Sequence, residues 1–412
     1  MGNMKTAIGF SRRDFLKVGG AGLAGLAGVL GWRGLSAADD GRHTSGLSPG
    51  DHGQQTTDDG YSSHPTTAQT SGENSSLDHG GMGTVGQVDH AANGFDPHEI
   101  LTDFDYGTVT QENGRTVRTW QIYALDREIE IAPGVHFPGW LYGSPTSAAS
   151  RRAGVVVPQC PGPTLRCVEG ERLRIEFGNG SSHPHTIHFH GIHSAIMDGV
   201  PGVGPGMIVP GGRFVYEFDA RPFGCHLYHC HAVPLKRHIH KGLYGAFIID
   251  PDPDRYGRHS GYSGEEAAAA RSRNHTTAEN KEIHEMVMVL NGFDTNFDGE
   301  NEVYAANTVA FAYDMAHPID IRRDQRQRLY LVNVTEFDPI NSIHLHANFF
   351  DYYDHGTTLR PTSVTVDTIM QCQAQRGILE FSFDGFEPGL YMFHAHQTEL
   401  AELGWMGFFN VT

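Results

Sequence analysis

Apolar and polar positions alternate in short runs along most of this chain. Residues 117–123, 172–177, 213–218, 245–249, 328–334, 378–383 and 389–393 repeat with a period of two and are rich in β-branched and aromatic side chains. That pattern predicts strands. Pro161-Gly162-Pro163, Pro201-Gly202, Pro210-Gly211-Gly212 and Pro388-Gly389 punctuate the runs as turns. The clearest helical stretch, Gly264 to Arg273, lies between two strand-rich blocks. The expected fold is all-β, with two tandem β-sandwiches over 95–260 and 281–412.

The two blocks repeat one another. The first runs His185-Thr-Ile-His188-Phe-His190, then Phe218, then Tyr228-His229-Cys230-His231, then Gly242-Leu-Tyr-Gly245. The second runs Asn341-Ser-Ile-His344-Leu-His346, then Phe383, then Phe393-His394-Ala395-His396, then Gly404-Trp-Met-Gly407. Landmarks recurring in one order imply two homologous domains.

Composition changes ahead of this region. Residues 39–94 are mostly Gly, Ser, Thr, Asp and His with almost no large apolar side chain, which predicts a disordered linker. Before it, Ser11-Arg12-Arg13-Asp14-Phe15-Leu16-Lys17 precedes a weakly apolar Gly/Ala run, and Ser36-Ala37-Ala38 offers a cleavage site. Residues 1–38 therefore resemble a twin-arginine export signal, which places the expected protein in the periplasm, outside the cell or on its surface. The net charge of −18 argues against nucleic acid as a partner. Three Asn-x-Ser/Thr triplets, at Asn179, Asn274 and Asn333, are compatible with surface glycosylation.

Histidine stands out at 26 residues, and imidazole is the commonest side-chain metal ligand. Residues i and i+2 of a strand share a face. The pairs His188/His190, His229/His231, His344/His346 and His394/His396 can each turn two imidazoles to one side. Eight imidazoles without an aligned carboxylate suit copper or zinc. Cys230 points away from the flanking His229 and His231, toward a second metal. A blue-copper site needs two histidines, one thiolate and a weak axial group. Here His185 and Cys230 fit, with His238 or His240 as the second imidazole and Leu243 at the axial position. The other cysteines, Cys160, Cys167, Cys225 and Cys372, are candidates for two disulfides of open pairing.

On these motifs the region from Phe95 to Thr412 resembles the two-domain multicopper oxidases. The resemblance implies cupredoxin-like Greek-key domains and about four copper ions per chain. It implies a type 1 copper on His185, Cys230 and His238, a type 2 copper on His188 and His344, and a type 3 pair on His190, His229, His231, His346, His394 and His396. Asp198, in the Met197-Asp198-Gly199 turn, is the implied proton donor, and Glu399 beside His396 is a second acid. The second domain lacks a type 1 site, because Asn341, Ala395 and Trp405 stand where the first has His185, Cys230 and Leu243. That arrangement resembles the one in which three chains form a ring.

The implied reaction is one-electron oxidation of a phenolic, aromatic or metal-ion donor coupled to reduction of dioxygen to water. Copper nitrite reductase is the alternative, since it shares the two-domain trimer, and a copper store is a further one. Leucine at the axial position withholds a thioether donor from the copper. Leu243→Met is therefore expected to lower the type 1 reduction potential, and a redox titration showing no decrease would remove Leu243 from that position.

Overall fold

The computed structural model describes residues 86–258 and 261–412. The expected export signal, and the linker up to residue 85, lie outside the described residues. Among those described, no helix is long and apolar enough to cross a membrane.

Each block folds into two stacked sheets. In the first domain, Phe104–Asp105, Gly162–Val168, Tyr244–Asp250, Gly224–His229 and His188–Phe189 form one sheet in that order. Pro158–Gln159, Val135–Gly143, Arg115–Ala132, Arg172–Asn179 and Arg213–Asp219 form the other. Neighbours distant in sequence, such as Gly162–Val168 beside Tyr244–Asp250, mark the long connections of a Greek-key sandwich. The second domain repeats the plan with Ile319–Ile321, Met406–Val411, Gly389–His394, Ile340–Leu345 and Thr368–Cys372 facing a six-stranded sheet. The register repeats too: His188 pairs with His229, and His344 pairs with His394.

The joining segment carries the helix Gly264–Arg273, as expected. Ser263 starts it with a reciprocal capping box to Glu266.

Several strands read as continuous apolar runs because both faces are covered. In Tyr244–Asp250, Phe247 and Ile249 fill the first domain's core, while Tyr244, Ala246 and Ile248 face a cluster shared with the second domain. In Ile283–Phe293, Met286, Met288 and Leu290 fill the second domain's core, while Val287 and Val289 enter the shared cluster.

A buried ion network closes the edge of that interface. Arg166 is fully buried. Its guanidinium meets Asp250 at 3.1 Å and Glu285 at 2.6 Å, joining the end of one domain to the start of the next. Arg328, also fully buried, meets Glu285 at 3.1 Å and Glu380 at 2.7 Å.

Three expectations change. Residues 86–94 belong partly to the fold rather than to a linker: His90–Asn93 is a helix capped by Asp89. Asn93 is buried and exchanges two 2.8 Å hydrogen bonds with the Glu130 backbone. A four-residue helix has no periodicity to read. All five cysteines are free thiols; Cys160, Cys167 and Cys225 are enclosed in apolar surroundings, and Cys372 is exposed. Asn179, Asn274 and Asn333 are each at most 2 % exposed, so none is open to a glycan.

Burial by itself raises the Glu285 carboxyl, yet Arg166 and Arg328 bring it down to about 2. A depressed carboxyl contributes stability above its unfolded value, and that contribution fades as pH falls toward the folded one. Arg166→Ala leaves Asp250 and Glu285 buried without their partner and is expected to cost about 3–5 kcal/mol at neutral pH. Denaturant unfolding checks this, and the penalty should shrink between about pH 5 and 2.

Candidate metal centres

The strand Gly224–His229 and the two residues after it position both candidate centres. Cys230 N–H donates to the Leu243 carbonyl at 3.0 Å, which continues the pairing with the neighbouring strand. His231 N–H donates to Thr186 Oγ1 at 2.9 Å. These bonds send the Cys230 thiol into the first domain's core and the flanking imidazoles the other way.

The Cys230 centre is fully enclosed. His185 and His238 approach it with their Nδ1 atoms, at 3.8 Å and 3.4 Å from Sγ and 3.1 Å from each other. A metal with bonds of about 2.0–2.3 Å to N and S spaces tetrahedral ligands by about 3.3–3.7 Å, so the set fits one ion. Ser181 Oγ lies 2.8 Å from His185 Nε2 and leaves Nδ1 as the ligand atom. Backbone N–H groups of Thr186 and Ala232 donate to the sulfur at 3.4 Å and 3.5 Å. Burial pushes the Cys230 thiol up to about 11, so a thiolate here requires a cation. Burial brings His185 down to about 3 and His238 to about 4, which keeps both imidazoles neutral and ligand-ready.

His240 has another task. It shares the short helix Leu235–His240 with His238, but its Nε2 accepts the Asp294 N–H at 2.9 Å and its ring packs on Phe137 and Phe337. The geometry groups His238, not His240, with Cys230. Leu243 is fully buried in the same core cluster as Cys230.

The imidazole quartets mirror each other. His190 Nε2 and His229 Nε2 stand 3.2 Å apart in the first domain, and His346 Nε2 and His394 Nε2 stand 2.9 Å apart in the second. His188 rings pack on His190, His229 and His231; His344 does the same with His346, His394 and His396. His229 Nδ1 bonds the Cys230 carbonyl at 3.0 Å, and His394 Nδ1 bonds the Ala395 carbonyl at 2.6 Å. Both tautomers thereby present Nε2. His231 Nδ1 is buried without a protein partner, an orphan that a cation would satisfy.

Asp198 sits at the first quartet. His188 Nδ1 bonds its carbonyl at 2.8 Å and lies 3.1 Å from its carboxylate, which also reaches His193 at 3.7 Å. Gly199, at φ +69, makes the turn, and a Cβ there would collide with the Ile187 carbonyl. Glu399 is exposed in the helix Thr398–Glu402 that follows His396.

Sequence reasoning missed five supporting residues. Asp367 is the second-domain counterpart of Asp198, with its carbonyl 3.0 Å from His344 Nδ1. Arg376 reaches from the second domain to His190 Nδ1 at 3.5 Å and to the Cys225 carbonyl at 3.1 Å. Trp140 packs against both His185 and His238, with ring centroids at 5.2 Å and 4.9 Å. Thr186 and Ser342 take the N–H groups of His231 and His396 alike, at 2.9 Å and 2.8 Å. The repeat itself was the signal available for Ser342; nothing local marks Asp367, Trp140 or Arg376.

The quartets do not join within the chain. The cavity at His188, His190, His229 and His231 is lined from the second domain by Val334, Gln373 and Ala374, not by its histidines. Among the described residues, each clustered set of imidazoles comes from a single domain.

His238→Ala and Cys230→Ser are each expected to abolish the blue absorption band of the copper-loaded protein while quartet-bound copper remains. His240→Ala should keep the band. Absorption spectra with copper counts on the three variants check this, and loss of the band in His240→Ala alone would exchange the two histidines.

Multicopper oxidase family models match residues 141–254 and residues 276–412. A solved multicopper oxidase is 48 % identical, with a TM-score of 0.67 over 79 % of this chain and 100 % of that one. The copper nitrite reductase of Nitrosomonas europaea, 19 % identical with a TM-score of 0.55 over 72 % of this chain and 94 % of that one, shares the fold. Laccase 1 of Metarhizium acridum is 39 % identical over 121 residues, 29 % of this chain and 19 % of the relative. Copper resistance protein A of Escherichia coli is 36 % identical over 116 residues, 27 % of this chain and 19 % of the relative. The aligned part of this chain thus spans about a fifth of these curated relatives. With two matched domains and a solved relative covered end to end, the chain belongs to the multicopper oxidase family.

Proposed function

We propose that this protein oxidises a reducing donor one electron at a time beside His238 and delivers the electrons to dioxygen, which leaves as water. One observation carries the reading. Cys230 joins a centre with His185 and His238, while its chain neighbour His229 joins His188 and His190. A single peptide bond therefore links an electron-entry site to an imidazole quartet. Copper, when bound, supplies the one-electron redox chemistry and the place where dioxygen is reduced. The chain supplies the rest. Burial excludes water from Cys230, Asp198 orients His188 and passes protons beside it, and backbone carbonyls fix the imidazole tautomers.

The reading extends to assembly. A quartet on each domain that finds no counterpart in its own chain supports a homotrimeric ring, each full site pairing one chain's first domain with the next chain's second. Exposed apolar residues near both quartets suit such a contact: Ile192 and Ile196 follow His190, Phe349 follows His346, and Met370 lies on the strand paired with that of His344. Four full His-x-His pairs favour an oxidase over a nitrite reductase, whose catalytic copper needs only three histidines. The twin-arginine-like start supports export to the periplasm or beyond.

Copper analysis with gas measurement tests the reaction: about four coppers per chain with oxygen uptake is expected, whereas two coppers with nitrite turnover would overturn it. Assembly has its own test. His188→Ala chains and His346→Ala chains, each inactive alone, should recover about a quarter of full oxygen uptake when unfolded and refolded together in equal amounts. No recovery, with wild type refolded in parallel regaining activity, would place each site within one chain.

A further inference from the structure

A cleft of about 570 Å³ opens beside the helix that carries His238, within the range of small-molecule sites. Lys236, Arg237 and Lys241 line it from the first domain, and Phe297 and Phe337 from the second. The cations are notable in a chain of net charge −18. Among the described residues none of the three makes an ion pair with a carboxylate; Asp126 and Glu336 act on Lys241 and Lys236 only through longer-range charge. Lys236 and Arg237 are exposed.

The aromatic wall is equally specific. Lys236 Nζ lies 3.9 Å from the Phe337 ring centre, and Lys241 Nζ lies 5.0 Å from that of Phe297. Phe297 holds a φ of +63 and is 54 % exposed. A phenylalanine held in the left-handed region and half open to solvent is an expensive choice for a turn. Trp140 links this wall to the metal ligands, its ring 4.9 Å from that of His238 and 5.2 Å and 5.4 Å from the Arg237 and Lys241 cations. Asp294 and Asp298 also border the cleft, but their carboxylates accept N–H groups of their own loop: Asp298 and Gly299 on the first, Glu300 on the second.

We propose that this cleft binds an aromatic donor bearing a carboxylate, its acid group on Lys236 and Arg237 and its ring against Phe297 and Phe337. The proposal rests on the oxidase reading above and names its substrate class. Each donor loses one electron and its phenolic proton to become a phenoxyl radical. Four such losses reduce one dioxygen to two waters, which take up the four protons.

Two matched probe pairs test it on the copper-loaded protein. Syringate and dimethoxyphenol are oxidisable with and without a carboxylate; trimethoxybenzoate and trimethoxybenzene are non-phenolic analogues for calorimetry. In Lys236→Glu/Arg237→Glu, the ratio of kcat/KM for syringate to that for dimethoxyphenol should fall roughly tenfold or more, with the trimethoxybenzoate Kd rising alike. Phe297→Ala should weaken both members of each pair together. A blue band of wild-type strength shows that either variant is folded. Equal changes within each pair for the charge variant would overturn the proposal, as would a KM effect confined to manganese(II) or iron(II) and reproduced by Asp298→Asn. Carboxylate-selective binding without oxygen uptake from any donor would sustain the site and remove the oxidase reading, so the two failures are distinct.

Discussion

A strand turns successive side chains to opposite faces, and both centres of this protein hang on that alternation at residues 229–231. The His188 to His229 pairing sets the register. The Cys230 N–H bond to Leu243 and the His231 N–H bond to Thr186 carry it past the end of the strand. A slip of one residue would move the thiol to the quartet face and an imidazole into the core. The distance between the Cys230 centre and the quartet is therefore a property of the backbone, not of any loop.

The domain interface protects this geometry from the other side. Strands such as Tyr244–Asp250 are buried on both faces, so the second domain acts as a lid on the sheet that holds the cysteine. Arg166 anchors the join because a guanidinium with no exposure must keep all its carboxylate partners. Arg376 extends the same interface to His190. With the sheets locked face to face, each quartet keeps its own domain's geometry.

Most of this was legible in the chain because it is periodic. Alternation marked the strands, the four His-x-His pairs marked the quartets, and the repeat marked the domains. What escaped depends on distant contacts. Helix Leu235–His240 is too short to show a period, so the preference for His238 over His240 rested on spacing to Leu243 and on the resemblance; the Asp294 N–H that occupies His240 supplies the physical reason. Asp367 lies 23 residues beyond His344, whereas Asp198 lies 10 beyond His188, so the repeat hides their equivalence. The Asn-x-Ser/Thr triplets at Asn179 and Asn333 resemble glycan sites, yet both are buried turns. Each Asn side chain accepts the N–H two residues on, from Ser181 and Thr335.

Those two turns also explain why only one domain carries a cysteine–histidine centre. Ser181 holds His185 at 2.8 Å, and at the corresponding place Thr335 Oγ1 takes the Asn341 amide at 3.0 Å. The Cys230 to Leu243 backbone bond has its twin between Ala395 N–H and the Trp405 carbonyl, at 3.2 Å. The scaffold of a second entry site is intact, but its interior is satisfied. The Trp405 indole is 1 % exposed and donates to the Ser342 carbonyl at 3.0 Å, while the Asn341 side-chain Oδ1 accepts the Ser342 N–H at 2.8 Å. Five residues before Trp405, where His238 precedes Leu243, stands buried Leu400, and the Trp405 N–H bonds its carbonyl as the Leu243 N–H bonds that of His238. Asn341, Ser342 and Trp405 are thus partnered with one another and with Thr335 and Gln397, and an indole takes up the space. The second domain has kept the fold's pairing and its quartet while closing the other face with a well-packed core, so asymmetry between the domains arises by filling a site rather than by losing the structure that would build it.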